Sequence, residues 1–436
     1  YAGAVYVFRR APGGDFLEDA RLLRPVPEIH DNFGTSVAVQ GAVLVAGAPD
    51  FPYSSFTGTG AAYVYRYAGG VWQQEAELHG STAHVDSGFG TDVALDGTRI
   101  LVGANLNSGG CCYVFEFNGI AWSETAKFQA PSGGFHFDGY AGALALRGEV
   151  ALVGASRLTV NGHINSGEAF VYRHSGSTWN MEATLTAPMP DDNEYFGKAV
   201  ALDGDVALIG LPPDNSACLY RRIGGTWSFE VRFKNAPQSG EFGSAVAVEG
   251  DEVLVGAPSA GAFAHYAGAV YPFRRNGTWQ GDPEFVGNDT QAQDGFGEPI
   301  SLNQGVALVG SAHDEPGFLG LGCVHVMSIA PDLVLELNPD PPESAQDLDL
   351  KVRYGTPLAR SWVVFSVQGT GATYIAPLDV TLGIRSPSLL VGPLSTNAQG
   401  ATVWTIPVPP SAVGRSVWFQ AVQYQKASNV VAAVIL

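Results

Sequence analysis

The chain has 436 residues, with 42 Asp+Glu against 23 Lys+Arg and a formal charge of −19 at pH 7. That balance argues against nucleic acid or an anionic membrane as partner, since phosphate-rich surfaces are bound by basic protein surfaces. The 55 Gly and 27 Pro, beside 46% hydrophobic and 11% aromatic residues, point to a turn-rich all-β chain rather than a disordered one, and no apolar run reaches the ~18–20 residues of a membrane-spanning helix.

Residues 1–31 read as half of a repeat: YAGAVYVFRR is one strand and GGDFLEDARLL the next, with Phe16 where later copies hold a tryptophan. From Phe33 a longer unit recurs. It reads FGTSVAVQGAVLVAGAP from Phe33, FGTDVALDGTRILVGA from Phe89, and YAGALALRGEVALVGA from Tyr140. The remaining copies are FGKAVALDGDVALIGLP from Phe196, FGSAVAVEGDEVLVGAP from Phe242 and FGEPISLNQGVALVG from Phe296. The mean period is about 53 residues, which with several short strands per unit marks propeller blades rather than solenoid coils.

Within each unit two strands, A and B, meet at a glycine turn: Gly41, Gly97, Gly148, Gly204 or Gly250. Alternation in A suits a half-exposed strand, and the near-continuous apolar run of B suits one buried on both faces. Strand C follows at 60–66, 110–116, 167–173, 217–222 or 268–275, and strand D carries Trp72, Trp122, Trp179, Trp227 or Trp279. Each tryptophan is expected to fill the widening space between outer strands; a carbohydrate-stacking platform is the other reading.

The ends do not match. With 322–327 counted as a C strand there are seven C strands against six A–B pairs and six D strands. The expected architecture is therefore a seven-bladed β-propeller of four-stranded antiparallel blades, whose opening segment of about 40 residues precedes Tyr1; six blades is the second choice. A neighbouring chain could also supply strands, which makes Tyr1, Val5, Val7, Cys323, Val324 and Val326 candidate assembly residues. After a proline- and acid-rich linker at 339–343, short strands at 348–354, 362–368, 378–384, 401–408, 417–424 and 428–436 read as an Ig-like β-sandwich. The expected domains are 1–328 and 329–436.

The aromatic-Gly opening and Gly-Ala-Pro close (Phe33-Gly34 with Gly47-Ala48-Pro49; Phe242-Gly243 with Gly256-Ala257-Pro258) resemble FG-GAP repeats. Such repeats build the propeller of integrin α chains and of many secreted bacterial proteins. The resemblance covers roughly residues 1–328 and implies an extracellular or cell-surface, non-enzymatic adhesion protein. Ala141 replaces the second glycine in one copy, and the last copy lacks Ala-Pro. The D-x-D-x-D-G calcium loops of integrin repeats are missing and the A–B turns are too short for them, so no cofactor is expected.

Catalytic spacings such as H-E-x-x-H, G-x-S-x-G and the P-loop are absent, and the expectation is that the chain is not an enzyme. Candidate cation ligands are the carboxylates ahead of each aromatic-Gly step (Asp31, Asp86, Asp138, Asp192, Glu241, Asp294) and the His313-Asp314-Glu315 cluster. Caps on the D-to-A turns are the simpler role for the former. Cys111, Cys112, Cys218 and Cys323 read as small buried side chains, although secretion would permit a disulfide.

B–C and D–A connections share one face of a propeller, and B–C is long at 49–59, 156–166, 257–267 and 311–321. Phe51, Tyr53, Phe56, His163, Phe263, His265, Tyr266 and Phe318 on these loops are the candidate binding residues. The expected function is recognition of a protein or glycan through that face. The alternatives are a structural subunit of an extracellular assembly, made from copies of the chain by strand addition, and a propeller hydrolase or lyase.

Overall fold

The computed structural model describes residues 3–10, 16–24, 32–49, 59–82, 87–105, 110–130, 138–234, 240–261, 266–282, 284–287, 293–311 and 322–328; beyond 328 it describes the backbone of ten strands. The chain divides into two compact units, Tyr1–Ser328 and Ile329–Leu436.

The first unit is a β-propeller in which sheets follow one another along the chain. A two-stranded sheet, β1 (Val5–Arg10) and β2 (Phe16–Leu22), comes first. Blade 1 is β3 (Val37–Gln40), β4 (Val43–Ala48), β5 (Ala61–Ala68) and β6 (Val71–Leu78). Blade 2 is β7 (Phe89–Asp96), β8 (Arg99–Ala104), β9 (Cys111–Phe117) and β10 (Trp122–Gln129). Blade 3 is β11 (Tyr140–Arg147), β12 (Val150–Ala155), β13 (Glu168–Ser175) and β14 (Thr178–Leu185). Blade 4 is β15 (Ala199–Asp203), β16 (Val206–Leu211), β17 (Ser216–Ile223) and β18 (Thr226–Lys234). Blade 5 is β19 (Ala245–Glu249), β20 (Glu252–Ala257), β21 (Ala269–Asn276) and β22 (Thr278–Gly281). Blade 6 has three strands, β23 (Phe296–Asn303), β24 (Val306–Ser311) and β25 (Cys323–Ser328). All pairings are antiparallel between chain neighbours.

The expected seven blades are thereby corrected to six. The strand at 322–327 pairs with β24 and completes the sixth A–B pair, while β1 and β2 have no A–B pair among the described residues. Counting C strands overcounts blades by this one half repeat.

Burial follows the strand types. β4, β12 and β16 are buried at every position, whereas the D strands β6 and β14 are mostly exposed or half-buried. Each hydrophobic core lies between adjacent blades: Val93 of blade 2 clusters with Val43 and Val45 of blade 1, and Phe196 of blade 4 with Leu152 and Val171 of blade 3.

The aromatic-Gly and Gly-Ala motifs are the two sides of one contact between neighbouring blades. All six aromatics, Phe33 to Phe296, are at most 2% exposed. The aromatic's backbone N–H reaches back to the preceding blade, from Phe89 to the Thr59 carbonyl (3.1 Å), Phe196 to Ser166 (2.9 Å) and Phe296 to Ala267 (3.0 Å). The following glycine takes φ of 97° at Gly90 and 105° at Gly243, a conformation L-residues avoid. Its carbonyl then presses on the Gly-Ala glycine of the preceding blade. A Cβ on Gly47 would sit 2.0 Å from the Gly90 oxygen, and one on Gly154 2.1 Å from that of Gly197. A second set of links joins the A–B turns at the opposite end. Asp203 accepts the Gly250 N–H (2.8 Å), and Glu249 accepts those of Gln304 (2.7 Å) and Gly305 (3.0 Å).

In the second unit the strands form antiparallel sheets. The first holds β26 (Val334–Asn338), β27 (Asp347–Arg353) and β32 (Thr402–Pro407). The second holds β28 (Arg360–Ser366), β31 (Ser388–Ser395), β33 (Ser416–Gln423), β34 (Lys426–Ala427) and β35 (Val431–Val434). A third pairs β29 (Thr370–Ile375) with β30 (Val380–Ile384). β26, β29, β31 and the two-residue β34 were not anticipated from the sequence pattern.

The seam separates two kinds of glycine by mutation. Gly154→Ala, where only space is lacking, should cost about 3 kcal/mol or more, because backbone of the next blade must move. Gly148→Ala at a turn with φ of 56° and open space should cost about 1 kcal/mol for its backbone alone. Chemical denaturation of the two variants checks the order.

Candidate functional site

The B–C and D–A connections converge on a cavity of about 480 Å³, lined by residues of blades 2 to 6. Its wall repeats one piece of local structure. The residue before the aromatic adopts positive φ, and its carbonyl accepts the N–H three residues on, as from Lys198 to Tyr195 (3.0 Å) and from Ser244 to Glu241 (3.0 Å). This turn brings the residue after aromatic-Gly to the rim: Gly142, Lys198, Ser244 and Glu298 all line the cavity. Tyr195 and Glu241 hold φ of 55° without being glycine, a conformation uncommon enough in non-glycine residues to mark a site worth explaining.

Charges of both signs face the cavity: Arg157 and Lys198 with Glu241 and Glu298. Burial raises the Glu298 carboxyl above its ordinary value; Lys198 pulls the other way and Glu241 adds a smaller upward push. Glu298 is exposed by surface area, yet its carboxyl lies within a concave site, where depth governs the cost of charging it. Glu241 also accepts the Ser259 hydroxyl (2.8 Å). Such a wall can hold a polar ligand carrying hydroxyls or charges of either sign.

Of the loop residues expected to form the binding site, His163 and Tyr266 are described. His163 ends a tight turn with Val160, exchanging backbone hydrogen bonds of 2.9 and 3.1 Å, and Tyr266 is 50% exposed with φ of 55°. Neither lines the cavity. Phe51, Tyr53, Phe56, Phe263, His265, Phe318, Asp31, Asp86, His313, Asp314, Glu315 and Tyr1 lie outside the described residues. The carboxylates ahead of the aromatics occupy unequal places. Asp294 is buried, Asp138 is partly enclosed with its carboxyl raised by burial, Asp192 is exposed, and Glu241 alone lines the cavity. They stand at different offsets from their aromatic, so they do not share one position.

His163, Asp191 and Asp192 bring one ligand atom each within 4.8 Å of the others, the one such cluster among the described residues. Asp192 accepts the Ile164 N–H (2.9 Å), and Asp191 accepts the N–H of Asp192 (2.8 Å), which accounts for where both sit. No disulfide joins the four cysteines among the described residues, and Cys112 and Cys218 are buried. Among the candidate assembly residues, Val5 is packed on Leu22 and Phe33, whereas Val324 and Val326 are exposed.

The tryptophans belong to a latch that the sequence reading missed. Every D strand from β2 to β18 has a β-bulge, and the unpaired residue is Asp19, Glu75, Thr125, Glu182 or Glu230. A bulge re-aims its side chain. Here the carboxylate meets a C-strand arginine of its own blade, as in Arg173–Glu182 (2.8 Å) and Arg221–Glu230 (2.6 Å). It also accepts the indole N–H of the next blade's tryptophan: Trp72 to Asp19 (3.1 Å), Trp122 to Glu75 (3.4 Å), Trp227 to Glu182 (3.3 Å) and Trp279 to Glu230 (2.7 Å). In blade 2 the bulge residue is Thr125, and the Trp179 N–H of the next blade is buried without a partner. An acidic residue three positions after Phe16, Trp72, Trp179, Trp227 and Trp279, though not after Trp122, was the available signal.

The FG-GAP repeat family matches residues 16–65, 72–115 and 179–218. The chain carries FG-GAP repeats. No curated protein matches its sequence. Among solved structures, one from Bacteroides uniformis named a "putative 6-phosphogluconolactonase" aligns with a TM-score of 0.51 at 12% identity, covering 74% of this chain and 94% of that one. A functionally unknown protein from Desulfotomaculum acetoxidans aligns at 0.46 and 12% identity, covering 75% and 89%. At this identity the first likeness shows the FG-GAP chain's fold alone.

The latch gives two tests. Burial pushes the Glu230 carboxyl up, but hydrogen bonds from Arg221 and Trp279 outweigh it and hold it below its ordinary 4.5. A depressed carboxylate contributes stability that is fully present above about pH 4.5 and lost as pH falls through the folded value. Glu230→Gln should therefore cost about 1–2 kcal/mol at pH 7, and the gap to wild type should narrow below pH 4 in denaturation curves. Thr125→Gln, offering Trp179 an acceptor, should raise stability by about 1 kcal/mol.

Proposed function

We propose that this FG-GAP chain is a non-enzymatic recognition protein acting outside the cell, whose propeller holds a protein or glycan partner at the B–C/D–A face. The observation that carries this reading is the cavity at the convergence of blades 2 to 6. Its volume of about 480 Å³ lies in the range of ligand-binding clefts. Its rim residues come from a position of the repeating motif that varies between copies: glycine, lysine, serine and glutamate at 142, 198, 244 and 298. A position that only built the fold would be free to repeat. Rigid blade edges carry these side chains, which limits the ordering cost of binding.

Among the described residues the opposite face carries short A–B and C–D turns. In this reading the C-terminal unit is an Ig-like sandwich serving as spacer or anchor, and recognition needs no metal. The lactonase name belongs to the Bacteroides protein, and its likeness lends fold but no substrate to this chain.

An array of glycans and immobilised extracellular proteins, probed with labelled full-length chain, tests the reading. Saturable binding to one class is expected. Lys198→Glu and Glu298→Lys should each weaken it tenfold or more, since each places like charges together in a confined site. Ile223→Glu, at an exposed C–D turn on the opposite face, should leave it unchanged. Binding lost equally in all three, or lost in none, would contradict the assignment.

A further inference from the structure

The charged side chains that line the cavity are held apart from one another and sorted by blade. Elsewhere in the propeller arginines meet carboxylates directly, as Arg173 meets Glu182 at 2.8 Å and Arg232 meets Glu194 at 3.0 Å. Among the described residues, the side chains of Arg157, Lys198 and Glu298 form no ion pair and no hydrogen bond, and all three are exposed. Arg157 follows β12 of blade 3 and Lys198 precedes β15 of blade 4, whereas Glu241 precedes β19 of blade 5 and Glu298 lies in β23 of blade 6. The cavity is therefore positive toward blades 3 and 4 and negative toward blades 5 and 6.

The rest of the wall offers hydrogen bonds and little apolar surface. Among the described residues no aliphatic side chain other than Pro212 and Pro213 lines it, and Tyr195 is its one aromatic. Protein partners are commonly anchored by large apolar side chains seated in fitting pockets, and this wall has no such seat. Sugar hydroxyls both donate and accept, which suits Asn105, Ser244 and the two carboxylates. The glycine at the varying rim position keeps one of these groups accessible: a Cβ on Gly142 would stand 2.8 Å from the Asn105 amide nitrogen.

We infer that the cavity takes a sugar bearing one carboxylate, a reading that rests on the recognition role above and narrows it from protein or glycan to an acidic glycan. The sugar carboxylate faces Arg157 and Lys198, where a guanidinium can donate two parallel hydrogen bonds to a planar anion. Ring hydroxyls donate to Glu241 and Glu298 across the cavity, and Asn105 and Ser244 donate to or accept from the remaining oxygens. The ligand carries a single acid because a chain of formal charge −19 repels a polyanion, and the two glutamates would repel a second carboxylate on their side. An otherwise neutral glycan with one uronic or one sialic acid meets each of these conditions.

The test is an array of oligosaccharides that each carry one uronic or one sialic acid, printed beside their carboxyl-reduced counterparts and probed with the full chain. Binding about tenfold or more tighter to the acidic member of a pair is expected, the scale of hydrogen bonds to a charged group, and the uronic and sialic arms tell which acid is held. Arg157→Gln/Lys198→Gln should bring the two members of that pair to within about twofold, since the charge-assisted bonds are gone. Glu241→Gln should weaken both members alike. Equal or weaker binding to the acidic members, or saturable binding to a protein that Lys198→Glu abolishes, overturns this inference and leaves the recognition reading standing. Absence of any binding that depends on the cavity residues overturns both. The paired ligands are compared on the wild-type chain, so they decide the matter even if a variant fails to fold.

Discussion

Everything in the propeller depends on how closely the backbone of one blade approaches that of the next. At the aromatic-Gly step a buried ring fills the seam, its N–H bonds to the preceding blade, and a glycine carbonyl rests where a side chain would be. The preceding blade answers with a glycine of its own, such as Gly47 or Gly154. A single Cβ at either partner would hold the blades apart. The repeat's signature residues are therefore the two sides of an inter-blade contact and say little about any ligand.

Farther from this seam, blades are tied by polar groups in place of close backbone approach. The bulged D-strand carboxylate gathers an arginine from its own blade and an indole N–H from the next. The A–B turns are linked in the same direction at the opposite end. Buried polar groups need partners to avoid a desolvation cost, and the indole N–H groups of Trp227 and Trp279 find theirs across a blade boundary. The blades are thus specified jointly, and Thr125 marks the one described place where the outer pattern lapses.

How much was legible in the sequence follows from this. Strand order, turn positions and the wedge role of the tryptophans were readable because the seam imposes the same residue types at each repeat. The blade number was misread because β1 and β25 have C-type sequences, and a strand's pattern does not say which A–B pair it joins. The cavity was missed for the opposite reason: Lys198, Ser244 and Glu298 occupy a position that varies between copies, and repetition was the signal being followed. Bulges were invisible because alternation in D strands survives one extra residue on a half-exposed strand. The loop aromatics drew notice by composition, yet His163 and Tyr266 sit on the loops outside the cavity wall.

The propeller is in this account one interface repeated five times and sealed within the blade series. Amide hydrogen exchange in dilute solution measures that directly. The account expects the N–H groups of Phe196, Gly243 and Phe296 to exchange slowest. Those of the outer strand β14, mostly exposed or half-buried, should exchange faster than those of the fully buried β12. Protection in β14 equal to that of β12 under the same conditions would contradict it.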